Sequence, residues 1–109
     1  MIEIKIRKDK TERRIAVEAK GHAETAQGQS LLCAAISSQM LGFSKAVAAM
    51  EKNKILGGTI RVDYGDGVVD VKLATAKDYK RVERYLTPVE AAIDAYVGAF
   101  PDSIRVERF

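Results

Sequence analysis

Ile2, Ile4 and Ile6 alternate with Glu3, Lys5 and Arg7 at the head of the chain. A period of two admits one regular element, a strand with one buried face and one wet face. The alternation returns at Ile15, Val17 and Ala19, set against Arg14, Glu18 and Lys20. Lys8-Asp9-Lys10-Thr11 reads as the intervening turn, so the two runs predict an antiparallel hairpin. A lone hairpin is marginal in water, and the rest of the chain must supply a layer that covers its apolar face.

The period then changes. After a polar stretch from Glu24 to Ser30 that reads as a loop, Leu32, Ile36, Phe43, Val47 and Met50 recur at helical spacing with alanines between them. This predicts a helix from about Leu31 to Lys52, with Ser30 as its N-cap and Asn53 and Gly57-Gly58 as its stop. Ile60, Val62 and Tyr64, then Gly65-Asp66-Gly67, then Val69, Val71 and Leu73 predict a second hairpin. Thr75 can cap a second helix, whose stripe runs through Tyr79, Val82, Leu86, Val89, Ile93, Tyr96 or Val97, and Phe100. The apolar phase crosses Pro88 unbroken, so one helix kinked there is preferred to two nearly collinear ones. Ile104 and Val106 suggest a short closing strand. The order ββαββα plus a final β predicts an α+β two-layer domain, a mainly antiparallel sheet with both helices packed on one face. The charged far face of the sheet is expected to meet water or a second subunit.

With 109 residues, one domain spanning 1–109 is expected. Hydrophobic residues make up 47% and charged residues 30%, which excludes a disordered chain. No apolar run approaches a membrane span and the first residues lack a signal-peptide core, so a soluble cytoplasmic protein is expected. A single cysteine and a single histidine exclude an internal disulfide and leave too few soft ligands for zinc, so neither metal nor cofactor is expected. The net charge is +3, and residues 1–20 supply that amount themselves, with seven Lys/Arg against four Asp/Glu. So mild an excess, interleaved with acids, does not mark a nucleic-acid binder.

Cys33 and His22 are the residues with chemistry to offer. If Ser30 caps the helix, Cys33 falls near its third position, where the helix dipole and unpaired N–H groups favour a thiolate and could hold an oxyanion. On the helical wheel Cys33 lies roughly 60–80° from the centre of the apolar stripe, at the seam between core and solvent, at ~100° per residue. His22 ends the second strand, 11 residues before the cysteine, and an imidazole within reach could take the thiol proton and return it to a leaving amine. Gly21 would let the backbone bend there. Ser37, one turn after Cys33, could support the site by hydrogen bonding. Against this stands the ordinary behaviour of a lone cysteine as an inert small hydrophobe, and of serine and alanine as close-packing residues. Spacing alone leaves both readings open.

Gly21-His22-Ala23, a short loop beginning again at Gly28, then Cys33-Ala34-Ala35-Ile36-Ser37 resembles the signature of the Prp family, the bacterial ribosomal-processing cysteine proteases. The likeness follows the element order across nearly the whole chain and extends to Ile104-Arg105-Val106-Glu107. The resemblance implies a ββαββα-type domain, commonly a homodimer, that removes a short N-terminal extension from a large-subunit ribosomal protein after an aromatic residue. It maps the family histidine to His22, the nucleophile to Cys33 and the serine after the cysteine to Ser37, with Gly21, Ser30 and Ala34 as further supporting or substrate-binding positions. Ser30 stands where many members carry aspartate, and the His-to-Cys loop is about a residue shorter than the commonest form. The alternative is a non-catalytic, ribosome-associated binding module that uses the basic N-terminal hairpin; a duller one is a structural subunit whose charged sheet face pairs with itself.

Overall fold

A computed structural model describes residues 1–21, 26–63 and 66–109, and for residues 26–30 the backbone alone. The order is β1 (Ile2–Asp9), β2 (Arg14–Gly21), α1 (Ala26–Ala48), a single 3-10 turn (Lys52–Lys54), β3 (Ile55–Asp63), β4 (Asp66–Leu73), α2 (Ala76–Ala99) and β5 (Ile104–Arg108). The expected α+β class holds. The strands form one sheet in the order β3-β4-β2-β1-β5, antiparallel throughout except for the β1–β5 pair. α1 lies over β3 and β4, α2 over β2, β4 and β5, and the helices touch each other.

Burial follows the alternation. Ile2, Ile4 and Ile6, Ile15, Val17 and Ala19, and Val69, Val71 and Leu73 all lie beneath the helices, none more than 3% exposed. Fully burying an Ile, Leu or Val contributes about 1.5–3 kcal/mol, so these rows are the main reason the sheet holds its register. The helices answer with Leu32, Ile36, Met40, Phe43 and Val47 from α1 and Tyr79, Val82, Leu86, Val89 and Ile93 from α2. Thr75 caps α2 as expected: its hydroxyl oxygen accepts from the Asp78 N–H at 3.1 Å while its O–H donates to the Asp78 carboxylate at 2.9 Å. α2 passes Pro88 as one helix. Phe100 leaves the stripe, 43% exposed, because the backbone has already turned out of the helix there.

Other expectations are corrected. The first turn falls later, at Lys10–Arg13, with Lys8 and Asp9 still in β1. Asp9 accepts from the Glu12 N–H at 3.0 Å, and Arg13 takes a left-handed φ of 54°, which together close the bend. Gly57 and Gly58 lie in β3, not at a helix stop. The ladder slips between Ile55 and Gly57, leaving Leu56 as a bulge. At Gly58, with φ of +130°, a Cβ would lie 1.7 Å from the Asp70 carbonyl oxygen of β4, so glycine there serves a close approach of two backbones. Asp63 faces Asp66 across the second hairpin, while Tyr64 and Gly65 lie outside the described residues.

α1 also corrects the view that no apolar run approaches a membrane span. Leu31–Ala48 has a mean hydropathy of 1.4 over 18 residues, with Lys45 its one charge, which is long and apolar enough by composition. Here its inner face forms the core while Leu31 and Leu41 stay exposed, at 76% and 48%.

On the opposite face of the sheet, charges alternate in sign and pair: Arg14 with Asp70 at 2.6 Å, Arg61 with Asp63 at 3.4 Å and Arg105 with Glu107 at 3.1 Å. The Arg14 guanidinium makes two hydrogen bonds to Asp70 and holds that carboxyl below its ordinary value of 3.8. A carboxyl depressed in the folded state gives stability above the unfolded value and loses it as pH falls through the folded one. Asp70→Asn should therefore flatten the dependence of stability on pH below about 4, read by urea denaturation across pH, with a change of at most about 1 kcal/mol for so exposed a pair.

Candidate active site

Gly21 stands at the end of the sheet where β2 finishes and β1, β4 and β5 begin. There Ile2 stands opposite both Gly21 and Ile104, and its N–H donates to the Ser103 carbonyl at 2.8 Å. Gly21 has φ of +100°, and a Cβ on it would come within 2.3 Å of the Met1 carbonyl oxygen. No other residue type fits that backbone without strain, so the bend expected of Gly21 is present. Its N–H donates to the Asp66 carboxylate at 3.2 Å, tying the end of β2 to the start of β4. Asp66 was read from the sequence as a turn residue; nothing in the local pattern signals that it anchors the strand from which His22 departs. His22 itself and the residues to Thr25 lie outside the described residues.

Cys33 differs from expectation in two respects. α1 begins at Ala26, so the cysteine is the eighth helical residue and Ser30 the fifth. Ser30 is therefore not the N-cap. The first four N–H groups of a helix lack intrahelical partners, and those of α1 lie about 6–10 Å along the axis from Cys33, at 1.5 Å per residue. The helix field also fades within the first turn, so the terminus is not the oxyanion site proposed from the sequence. Second, Cys33 is 8% exposed and belongs to the core cluster, where the wheel had placed it at the seam. The buried stripe of α1 is wider than its large apolar residues suggest and takes in Ser44 on the same flank. Solvent is nonetheless close: Leu31 and Ala34 are exposed and Ser37, one turn on, is half-buried.

The position of Cys33 along the sheet follows from Met40. That side chain reaches over Gly67, its Cε 3.4 Å from where a Cβ would stand, and Gly67 pairs with Val62 of β3. Cys33 is two turns earlier on the same face, about 10 Å further toward the helix start. The chain enters α1 five residues after Gly21 and leaves it toward Ile55, opposite Leu73 at the other end of the sheet. The cysteine thus lies on the Gly21–Asp66 side, where the histidine-bearing segment departs.

A family model described as cysteine protease Prp matches residues 1–104. Among solved structures, the ribosomal processing protease Prp from S. aureus in complex with a substrate peptide superposes with a TM-score of 0.72 at 16% identity, covering 100% of both chains. SMU.848 from Streptococcus mutans gives 0.70 at 20% identity, covering 100% of this chain and 97% of its own. At such identities the likeness is one of fold. No curated protein matches the sequence. The fold is shared end to end, and the family match spans both the strand that ends at Gly21 and the helix that carries Cys33, so the chain belongs to the cysteine protease Prp family.

Proposed function

We propose that this protein is an endopeptidase that removes the N-terminal extension of a large-subunit ribosomal protein, with Cys33 as nucleophile and His22 as general acid–base. The observation that carries the reading is the family match over residues 1–104, within which Cys33 sits on α1 at the sheet end from which His22 leaves. In this mechanism His22 takes the thiol proton and the Cys33 sulfur attacks the scissile carbonyl. The imidazolium then protonates the departing amine, and water releases the acyl group from sulfur. S. aureus Prp is known both with a substrate peptide and with a covalently linked product peptide, and a nucleophilic cysteine is one source of such a link. Gly21 and Asp66 tie down the end of the strand that precedes the histidine, and on this reading Ser30, Ala34 and Ser37, carried on α1 within about a turn of Cys33, are supporting positions. The protein acts in the cytoplasm, as a homodimer, on this reading.

The test is incubation with the extended ribosomal protein, comparing wild type with Cys33→Ala and His22→Ala by mass spectrometry of the product. Loss of clipping in both variants supports the dyad; clipping that persists in both removes it. For the alternative of an RNA-binding hairpin, Arg7, Arg14 and Lys20 each have an acid within 3.9 Å, which offsets part of the hairpin's positive charge.

A further inference from the structure

The two edges of the sheet are built differently. β5 is five residues long, and its Arg108 is held by Glu90 and Asp94 of α2 at 3.4 and 2.9 Å, which blunts that edge with charge. β3 is nine residues long, and among the described residues no strand pairs with its outer side. Its helix-facing side is covered unevenly: Ile55 and Val62 pack against the core, while Ile60 is 37% exposed and Leu56 at the bulge is 60% exposed. α1 therefore covers this strand in part and leaves its outer side open.

The flank of α1 above β3 is uncharged. A groove lined by Ser38, Gly42 and Ala46 with Arg84, Tyr85 and Pro88 marks the side of α1 that meets α2. At about 100° per residue, the opposite flank carries Ser37, Leu41, Ser44 and Ala48. Leu41 and Ala48 are exposed. Cys33 starts the same flank, one turn before Ser37. Edge, flank and thiol therefore form one continuous lane that ends at the nucleophile.

We propose that an extended segment of the substrate peptide adds to the outer edge of β3 as a sixth strand, beneath the uncharged flank of α1. This rests on the protease reading given above and assigns its substrate-docking surface. From Val62, Cys33 lies about 10 Å beyond the strand, which three extended residues span at about 3.3 Å each. Positions Gly58 to Asp63 thus engage residues about seven to two away from the scissile bond. Main-chain N–H and C=O groups of β3 supply the affinity. Uncharged neighbours on both sides select a segment whose helix-facing side chains are apolar and uncharged, because a charge buried there would have no partner.

The test uses wild-type protein and synthetic peptides of about 14 residues that span the junction of the ribosomal-protein extension, N-methylated one amide at a time. Only alternate amides of an added strand point at β3, so alternate methylations should raise KM about tenfold or more, with kcat unchanged, and the intervening ones should do little. Ile60→Lys should give the same rise in KM with the long peptide and none with a version of about four residues that ends short of β3. KM values that ignore the position of the methyl group overturn the proposal. So does an Ile60→Lys variant that turns a dimer into a monomer in sedimentation without changing KM, because a second copy then occupies the edge. Wild-type protein that cleaves neither peptide is a different result, which overturns the protease reading and this one with it.

Discussion

Cys33→Ala is expected to leave a folded protein that cleaves the junction peptide at least about 1,000-fold more slowly than wild type. Replacing the thiol with hydrogen removes the atom proposed to attack the carbonyl, and residual catalysis from binding and positioning does not recover a covalent route. The fold should survive. The sulfur sits in a core cluster at 8% exposure, so its loss removes one packed atom and leaves a small void worth about 1 kcal/mol. Urea denaturation beside kcat/KM separates the two effects. An activity loss matched by a large stability loss would assign Cys33 to packing alone, which is the ordinary fate of a buried cysteine. His22→Ala should cost about 100- to 10,000-fold, the range of a general acid–base. An equal loss in both variants, with no further loss on combining them, is the mark of two groups that act as a unit.

The burial of Cys33 shows where sequence reasoning succeeds and where it stops. Strand alternation is enforced by the pleat, so Ile2, Ile4 and Ile6 could face only one way once a layer covered them, and the sheet's helix-covered face was readable residue by residue. The helix start was not. Gly28 and Ser30 are a helix-weakening residue and a good cap, and together they look like a loop ending at a cap. The backbone instead begins α1 at Ala26, and tertiary packing of the long apolar stripe outweighs two local preferences of about 1 kcal/mol each. That shift of about five residues moves Cys33 away from the helix terminus and removes one of the two electrostatic reasons offered for its reactivity. The other, an imidazole nearby, rests on His22. The tie between Asp66 and Gly21 was hidden for a different cause: it joins residues 45 apart, and periodicity reports only on neighbours.

The adjacent glycines of β3 supply the second large effect. Gly58→Ala is expected to destabilise the protein by about 3 kcal/mol or more, and Gly57→Ala by less than about 1 kcal/mol. At Gly58 a methyl would have to occupy space 1.7 Å from the Asp70 carbonyl oxygen, with further contacts at 2.7 and 2.8 Å to β4 backbone, on a residue held at φ of +130°. Neither the oxygen nor the dihedral can yield without breaking the pairing that begins after the bulge. Gly57 has nothing within 4 Å of the same methyl, so its substitution mainly trims the freedom of the unfolded chain. Two one-carbon changes, one residue apart in one strand, should then differ by several kcal/mol in urea denaturation. The comparison also bears on substrate docking. Gly57→Ala leaves the edge of β3 in place and should leave KM for the long peptide unaltered, whereas Gly58→Ala, studied where it remains folded, displaces the edge from β4 and should raise that KM while sparing the short peptide. If the two alanines behave alike in stability, β3 does not approach β4 through a glycine-dependent bulge, and the edge offered to substrate has a different shape.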